Sequence, residues 1–180
     1  MHSLVPHVLS LTGLRMALQP MSLLAIMQQV IKLLCLVELI MLLVCAALAD
    51  AHRRHIPIII TLLIAMLALP YGLASGWSFG VEIAGHVFSA VVLGAAMLTG
   101  FRFGMVSGDE LKLMSALGLW LSPSAAIGAL LITAITGGLL ASAMHRQHRR
   151  RLSQPGVPYA VGIAAAGIVH FAAPLAQLLS

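Results

Sequence analysis

The sequence predicts an all-α membrane protein with six transmembrane helices, of which the fourth is short. Of its 180 residues, 61% are hydrophobic and only 8% are charged, whereas a soluble domain carries about 25% charged residues. The apolar runs are mostly about 20 residues long, the length that crosses a hydrocarbon core of ~30 Å as a helix. They show no alternation of polar and apolar residues, which argues against a membrane β-barrel.

Glycines, prolines and polar turns divide the chain into its predicted spans. We place the spans at residues 27–49, 56–73, 81–99, 111–121, 125–144 and 157–179. Residues 1–26 precede them as an N-terminal leader, for which Met16, Met21 and Met27 offer alternative starts. Residues 27–180 are predicted to form a single membrane-embedded domain.

The fourth span is too short to cross a bilayer. Ser122 and Pro123 are typical of the N-cap and first position of a following helix, so the fourth helix ends just before them. At 1.5 Å per residue it is only about 16–20 Å long. One of its ends should therefore lie below the membrane surface.

Basic residues in the loops predict the orientation in the bilayer. The loops after spans 1, 3 and 5 contain arginines, whereas the loops after spans 2 and 4 contain no Lys or Arg. The positive-inside rule assigns the first three loops to the cytoplasm. Short basic loops between apolar runs also make the lipid bilayer a better partner than nucleic acid. The loop arginines are Arg53, Arg54, Arg102, Arg146, Arg149, Arg150 and Arg151.

A cleaved signal peptide is an alternative reading of the first span. Ala47–Ala49 fits a small-residue cleavage site, and cleavage would release a chain that starts at Asp50. We disfavour it because the segment is longer than the usual 15–30 residues or so and because Glu38 interrupts its apolar part.

Three of the five acidic residues are predicted to share one membrane depth. Asp50 ends the first span, and Asp109 and Glu110 precede the fourth on the same side. Two carboxyl groups ~3 Å apart do not both ionise readily, so one can accept a proton from water while the other polarises a carbonyl. Such chemistry needs no metal or cofactor. The alternative is that these acids only cap helices or face water.

Three segments resemble the signatures of type IV prepilin peptidases. DAHRRHIPI, residues 50–58, resembles the first, an Asp followed by a basic linker and Ile-Pro. SGDELKLMSALGLWLSP, residues 107–123, resembles the second, a Gly-x-Gly-Asp loop with a Lys and an apolar helix. VPYAVGIAAAG, residues 157–167, resembles the Pro-Tyr-bearing last span. Without a cysteine-rich domain between these segments, the chain resembles the short form found in tight-adherence (Flp-type) pilus systems.

The resemblance implies an intramembrane aspartyl protease of the GxGD type in the bacterial inner (plasma) membrane. Such enzymes remove the basic leader of a prepilin at the cytoplasmic face and use no cofactor. Asp50 then corresponds to the first catalytic aspartate.

The second catalytic acid stays open between two residues. The family pattern is Gly-Asp-x-Lys, and the run Gly108–Lys112 is one residue longer. Alignment on Gly108 makes Asp109 catalytic, whereas alignment on Lys112 and the following helix assigns that position to Glu110. We prefer Asp109, because a glycine lets the backbone bring the adjacent carboxylate close to a partner. Gly108 and Lys112 are then supporting residues.

Departures from the family pattern keep a second function class open. Ile58 replaces the usual Asn after Ile-Pro, and Ser107 or Val106 replaces the earlier Gly. The alternative is a non-enzymatic membrane protein, either a degenerate homologue in pilus assembly or a small transporter. In that case Glu38, near the middle of the first span, would be a proton-path residue; otherwise we expect it to bond across to another helix.

Glu82 and His86 share one face of the third span, since they are four residues apart. They could pair with each other, line a cavity, or bind a metal together with His170. A metal site requires at least three converging ligands, which the sequence does not indicate, so no metal site is predicted.

Overall fold

The computed structural model describes residues 23–78, 80–148 and 159–179, with the side chains of 144–148 left out. These residues form six α-helices and no strand, and all the helices except α4 are long and apolar enough to cross a membrane. This confirms the predicted all-α, polytopic fold. The helices are α1 (Leu23–Arg53), α2 (Ile58–Ser75), α3 (Val81–Arg102), α4 (Gly108–Gly118), α5 (Pro123–His148) and α6 (Tyr159–Leu179).

All six helices differ from their predicted bounds by up to four residues, and the differences in the first and fourth affect the acidic residues. The first was predicted over residues 27–49, but α1 is helical from Leu23 and continues to Arg53. The fourth was predicted over residues 111–121, but α4 begins at Gly108 and ends at Gly118. Its first turn is stabilised by side-chain caps that draw the preceding loop residues into the helix, and this shifts the helix toward the N-terminus by three residues.

Helix α4 lies inside the bundle. It packs against α2, α3 and α6, while α1 packs against α2 and α6, and α5 against α3 and α6. Side chains of α1, α4 and α6 form a core without solvent exposure, because α4 is surrounded by longer helices. Its members include Leu39, Leu43, Leu113, Leu117 and Ile163.

The contact between α3 and α4 is closer than side chains allow. A Cβ added to Gly118 would lie 2.5 Å from Cα and 2.9 Å from N of Ala90. Because those atoms belong to the backbone of α3, neither helix can give way cheaply. The glycine at the end of α4 therefore sets the distance between the two helices.

The turn after α4 is fixed by polar contacts. The indole Nε1–H of Trp120, 2% exposed, donates a hydrogen bond of 2.8 Å to the carbonyl oxygen of Ile64 in α2. Ser122 caps α5 as predicted, since its Oγ accepts from the N–H of Ala125 at 3.4 Å. Pro123 is the first residue of α5. These contacts fix the C-terminal end of α4. Because the helix is short, they also fix the position of the acids in its first turn.

Candidate active site

Asp50 lies near the end of α1 and is almost inaccessible. It is 4% exposed, although it belongs to a residue type that is rarely buried without partners. Its Oδ2 accepts a hydrogen bond of 3.3 Å from the backbone N–H of Ala160, at the start of α6. The last turn of α1 thus places a carboxyl group at the N-terminus of α6.

Glu110 is buried just as deeply at the start of α4, with 2% exposure. Its Oε2 accepts from the backbone N–H of Ser107 at 2.7 Å, and its own N–H donates to Ser107 Oγ at 3.3 Å. This reciprocal arrangement is a capping box, which satisfies two backbone donors at a helix start. The remaining oxygen, Oε1, accepts from the N–H of Tyr159 at 2.6 Å.

The two buried acids therefore meet at the N-terminus of α6. Consecutive backbone N–H groups, those of Tyr159 and Ala160, bind Glu110 and Asp50 respectively. A helix N-terminus carries partial positive charge and favours carboxylates. This explains how two acids can share a buried site.

The carboxyl groups of Asp50 and Glu110 are close enough to influence each other electrostatically. Two carboxyl groups can hydrogen-bond to each other only when one of them carries a proton, because a carboxylate can only accept. Burial raises the pKa of Glu110, and the charge of Asp50 raises it further, against the opposing effect of the N–H donors of Ser107 and Tyr159. The pair can thus hold a proton that an isolated, solvated Glu would lose.

Asp109 has a different environment from Glu110. Its side chain is 24% exposed, and its Oδ2 lies 2.7 Å from Nδ1 of His55 and accepts from the N–H of Ile56 at 3.3 Å. Its Oδ1 lies 3.4 Å from Nζ of Lys112. Burial acts to raise the pKa of Asp109, but these three donors outweigh it and hold the pKa below its usual range. Asp109 therefore connects the α1–α2 linker to the start of α4.

The two supporting residues predicted from sequence lie beside these acids. Lys112 is a half-exposed partner of Asp109. Gly108 is the first residue of α4, and a Cβ added there would lie 3.9 Å from Cε2 of Phe101, an ordinary contact. The close backbone approach that we expected at Gly108 occurs instead at Gly118.

Sequence reasoning missed the main-chain donors of the site. Nothing in the side chains of Tyr159 and Ala160 indicates that their N–H groups bind two carboxyls. The role of Ser107 was detectable, because Ser-x-x-Glu over residues 107–110 is the pattern of a capping box. The resemblance to the family indicates Ser107, or Val106, only as a replacement for a glycine.

The second polar group predicted from sequence does not form a joint site. Glu82 Oε2 accepts from the N–H of Ser78 at 2.6 Å, while the ring of His86 stacks on Trp77 with centroids 3.8 Å apart. Neither hydrogen-bonds to the other. Within the described residues, no three His, Cys, Asp or Glu side chains converge as metal ligands.

Comparison with known proteins gives one match. A family model described as the type IV leader peptidase family matches residues 37–142, a range that includes Asp50, Asp109 and Glu110. The matched range extends from the middle of α1 to near the end of α5, and α6 lies beyond it. No curated protein and no solved structure matches the chain.

Proposed function

Because the chain belongs to the type IV leader peptidase family, we propose that it removes the leader of Flp-type prepilins by an aspartic-type mechanism at the cytoplasmic face of the bacterial inner membrane. The observation that carries this proposal is the pair of buried carboxyl groups of Asp50 and Glu110 on the N-terminus of α6. Burial of two paired acids costs free energy, and such groups are therefore typical of functional sites.

The chemistry follows from one proton shared by two carboxyl groups. The deprotonated group accepts a proton from a water molecule as that water attacks the scissile carbonyl carbon. The protonated group donates a hydrogen bond to the carbonyl oxygen and transfers its proton as the tetrahedral intermediate forms. Collapse of the intermediate breaks the C–N bond as the first group passes its proton to the departing amine, and the second group recovers a proton from a hydroxyl of the intermediate as the new carboxyl group forms. The pair thus returns to its starting state, with one proton, after each cycle.

The second acid of the proposed pair is Glu110. It is 2% exposed and interacts directly with Asp50, whereas Asp109 is engaged by His55 and Lys112 on the outside of the site. These contacts support the alignment anchored on Lys112 and its helix. The preference for Asp109 that we drew from Gly108 stays a prediction, and the paired variants described in the Discussion distinguish the two.

The cytoplasmic orientation is supported by charge. Arg53, Arg54 and Arg102 lie at the ends of α1 and α3, at the same end of the bundle as Asp50 and Glu110. No Lys or Arg occurs between α2 and α3 or between α4 and α5. Arginines near anionic headgroups favour the cytoplasmic side, and this orientation would present the acids to a leader that has not crossed the membrane.

The proposal is tested by co-expression with a prepilin that carries a basic leader. Asp50→Asn keeps the size of the side chain and removes the titratable group, so we expect only unprocessed prepilin. Glu82→Gln is the matched control, because Glu82 is an acid whose contact with Ser78 lies at the other end of the bundle; it should process at the wild-type rate. Both proteins must reach equal levels in the membrane.

Normal processing by Asp50→Asn would overturn the aspartic mechanism. Normal processing in cells without the chain would instead favour the alternative of a non-enzymatic membrane protein.

A further inference from the structure

Glu38 faces away from the bundle at the middle of a transmembrane helix. It is exposed on α1 and, within the described part of the chain, makes no hydrogen bond or ion pair. It lies twelve residues before Asp50, about 18 Å along the helix axis. That depth is beyond the reach of a glutamate side chain to either surface of a core of ~30 Å. The expected bond from Glu38 to another helix of the bundle is therefore not formed.

Acids at this depth normally face the interior of a bundle or a water-filled cavity. Exposure to hydrocarbon would leave the polar atoms of Glu38 without partners, at a considerable cost in free energy. The exposed face around Glu38 thus requires a partner that supplies hydrogen bonds.

The residues around Glu38 form a continuous stripe along α1. They recur alternately four and three residues apart, the spacing of the core positions of a coiled coil. Every one of them is exposed, and the exposure of the Met, Ile and Leu members runs from 37% at Ile31 to 62% at Leu34. We call this set the α1 stripe, and it consists of Met27, Ile31, Leu34, Glu38, Met41, Cys45 and Leu48.

The opposite face of α1 is already occupied. Leu36, Leu39 and Leu43 are fully buried, because that face packs against α2 and α6. The α1 stripe is therefore not a second contact within the bundle. It is an unpartnered helix face with one polar residue, Glu38, at the fourth of its seven positions.

We propose that the α1 stripe is the interface of a parallel dimer of this chain, with the two Glu38 side chains hydrogen-bonded across the two-fold axis. A two-fold axis brings the same residue of both copies together. A carboxylic acid group has an O–H donor as well as acceptor oxygens, so two such groups can satisfy each other by a reciprocal pair of hydrogen bonds. A second copy of the chain thus supplies the hydrogen-bond partner that Glu38 lacks, and no other polar residue is needed.

The dimer also accounts for the composition of the stripe. Helix association in lipid depends on packing and on polar contacts, because lipid tails already solvate apolar side chains. A single polar residue at one core position of a coiled coil fixes register and number of strands. Glu38 would set the register, and the flanking apolar residues would pack symmetrically around it.

Cys45 provides a direct test, since it lies on the stripe, is exposed and is seven residues from Glu38. A disulfide forms only when the two Cα atoms come within about 7 Å. In a Cys35→Ser background, oxidation of membranes with copper phenanthroline should give a disulfide-linked homodimer, and Cys45→Ser should abolish it. Moving the cysteine to Met41 should retain the cross-link.

Two further variants control for random collision. A cysteine at Val44, on α1 but beside the stripe, or at Leu62, exposed on α2, should cross-link at least tenfold more slowly in the Cys35→Ser, Cys45→Ser background. Equal rates at Cys45 and at Leu62→Cys would overturn the dimer.

Glu38 variants test the hydrogen-bonded pair itself. Glu38→Gln retains a donor and an acceptor, so the cross-linked fraction should stay near that of the wild type. Glu38→Leu keeps the helix apolar and should lower the fraction about tenfold, as expected for loss of interhelical polar bonding. An unchanged fraction in Glu38→Leu, or a Cys45 adduct with a different protein in place of the homodimer, would contradict the proposal.

Discussion

Glu110→Gln is the substitution that most sharply tests the carboxyl pair. It keeps the shape of a side chain that is 2% exposed and removes its titratable group. Positioned acid–base groups contribute about 10²–10⁴-fold to a rate, so we expect prepilin processing to fall at least about 100-fold. Glu110→Asp retains the acid on a shorter stem and should recover part of the activity.

Asp109→Asn is the matched comparison one residue earlier. Asp109 is paired with His55 and Lys112, whose side chains are 72% and 50% exposed. Exposed ion pairs of this kind contribute about 0.2–1 kcal/mol, and 1.4 kcal/mol corresponds to a factor of about ten. Loss of one such pair corresponds to about fivefold at most, and loss of both to about 25-fold at most.

The measurement is the initial rate of leader removal from a purified prepilin in proteoliposomes that contain equal amounts of each variant. Glu110→Gln should lower the rate at least about fourfold more than Asp109→Asn, from the two preceding magnitudes. The reverse order, with Asp109→Asn inactive and Glu110→Gln active, would refute the reasoning from burial and restore the alignment anchored on Gly108.

Other properties of the chain can be measured independently. Because burial and the neighbouring charge raise the pKa of Glu110, processing should decline as the pH rises through that raised value. The pKa of Asp109 is lowered, so its stabilising effect is lost as the pH falls below about 4; thermal unfolding of Asp109→Asn should depend less on acid than that of the wild type. Gly118→Ala should destabilise the fold by about 1–3 kcal/mol through overpacking, while Gly108→Ala, where a Cβ meets only ordinary contacts, should unfold at the wild-type temperature. Trp120→Phe removes a buried hydrogen bond to α2 and should cost about 1 kcal/mol; an unchanged denaturant midpoint would show that this bond does not hold the turn after α4.

The number and order of helices were predictable, because each apolar run is bounded by prolines, glycines or charges. Which acid of α4 faces Asp50 was not predictable. Consecutive residues of a helix point about 100° apart, so only one of Asp109 and Glu110 can face Asp50 while the other faces the α1–α2 linker. Which one does so depends on where the helix begins, and Ser107 moves that start toward the N-terminus by three residues.

The location of Asp50 at the site was predictable and its bonding was not. A terminal acid after an apolar run indicates a helix end, and the loop arginines indicate which side of the membrane it faces. Its actual donor is the backbone of Ala160, 110 residues away. No side-chain pattern encodes a main-chain contact at that separation, since every residue except proline carries the same N–H group.

The short length of α4 bears on how the chain is inserted into the bilayer during synthesis. A segment of 11 residues that includes Asp109, Glu110 and Lys112 is too short and too polar to partition into lipid by itself. It can be retained only when α3 and α5, which flank it in sequence, are also in the bilayer. Glu110 and Asp50 acquire the N–H donors of Tyr159 and Ala160 only after α6 has been translated. The acid pair therefore lacks these two main-chain donors until synthesis reaches α6.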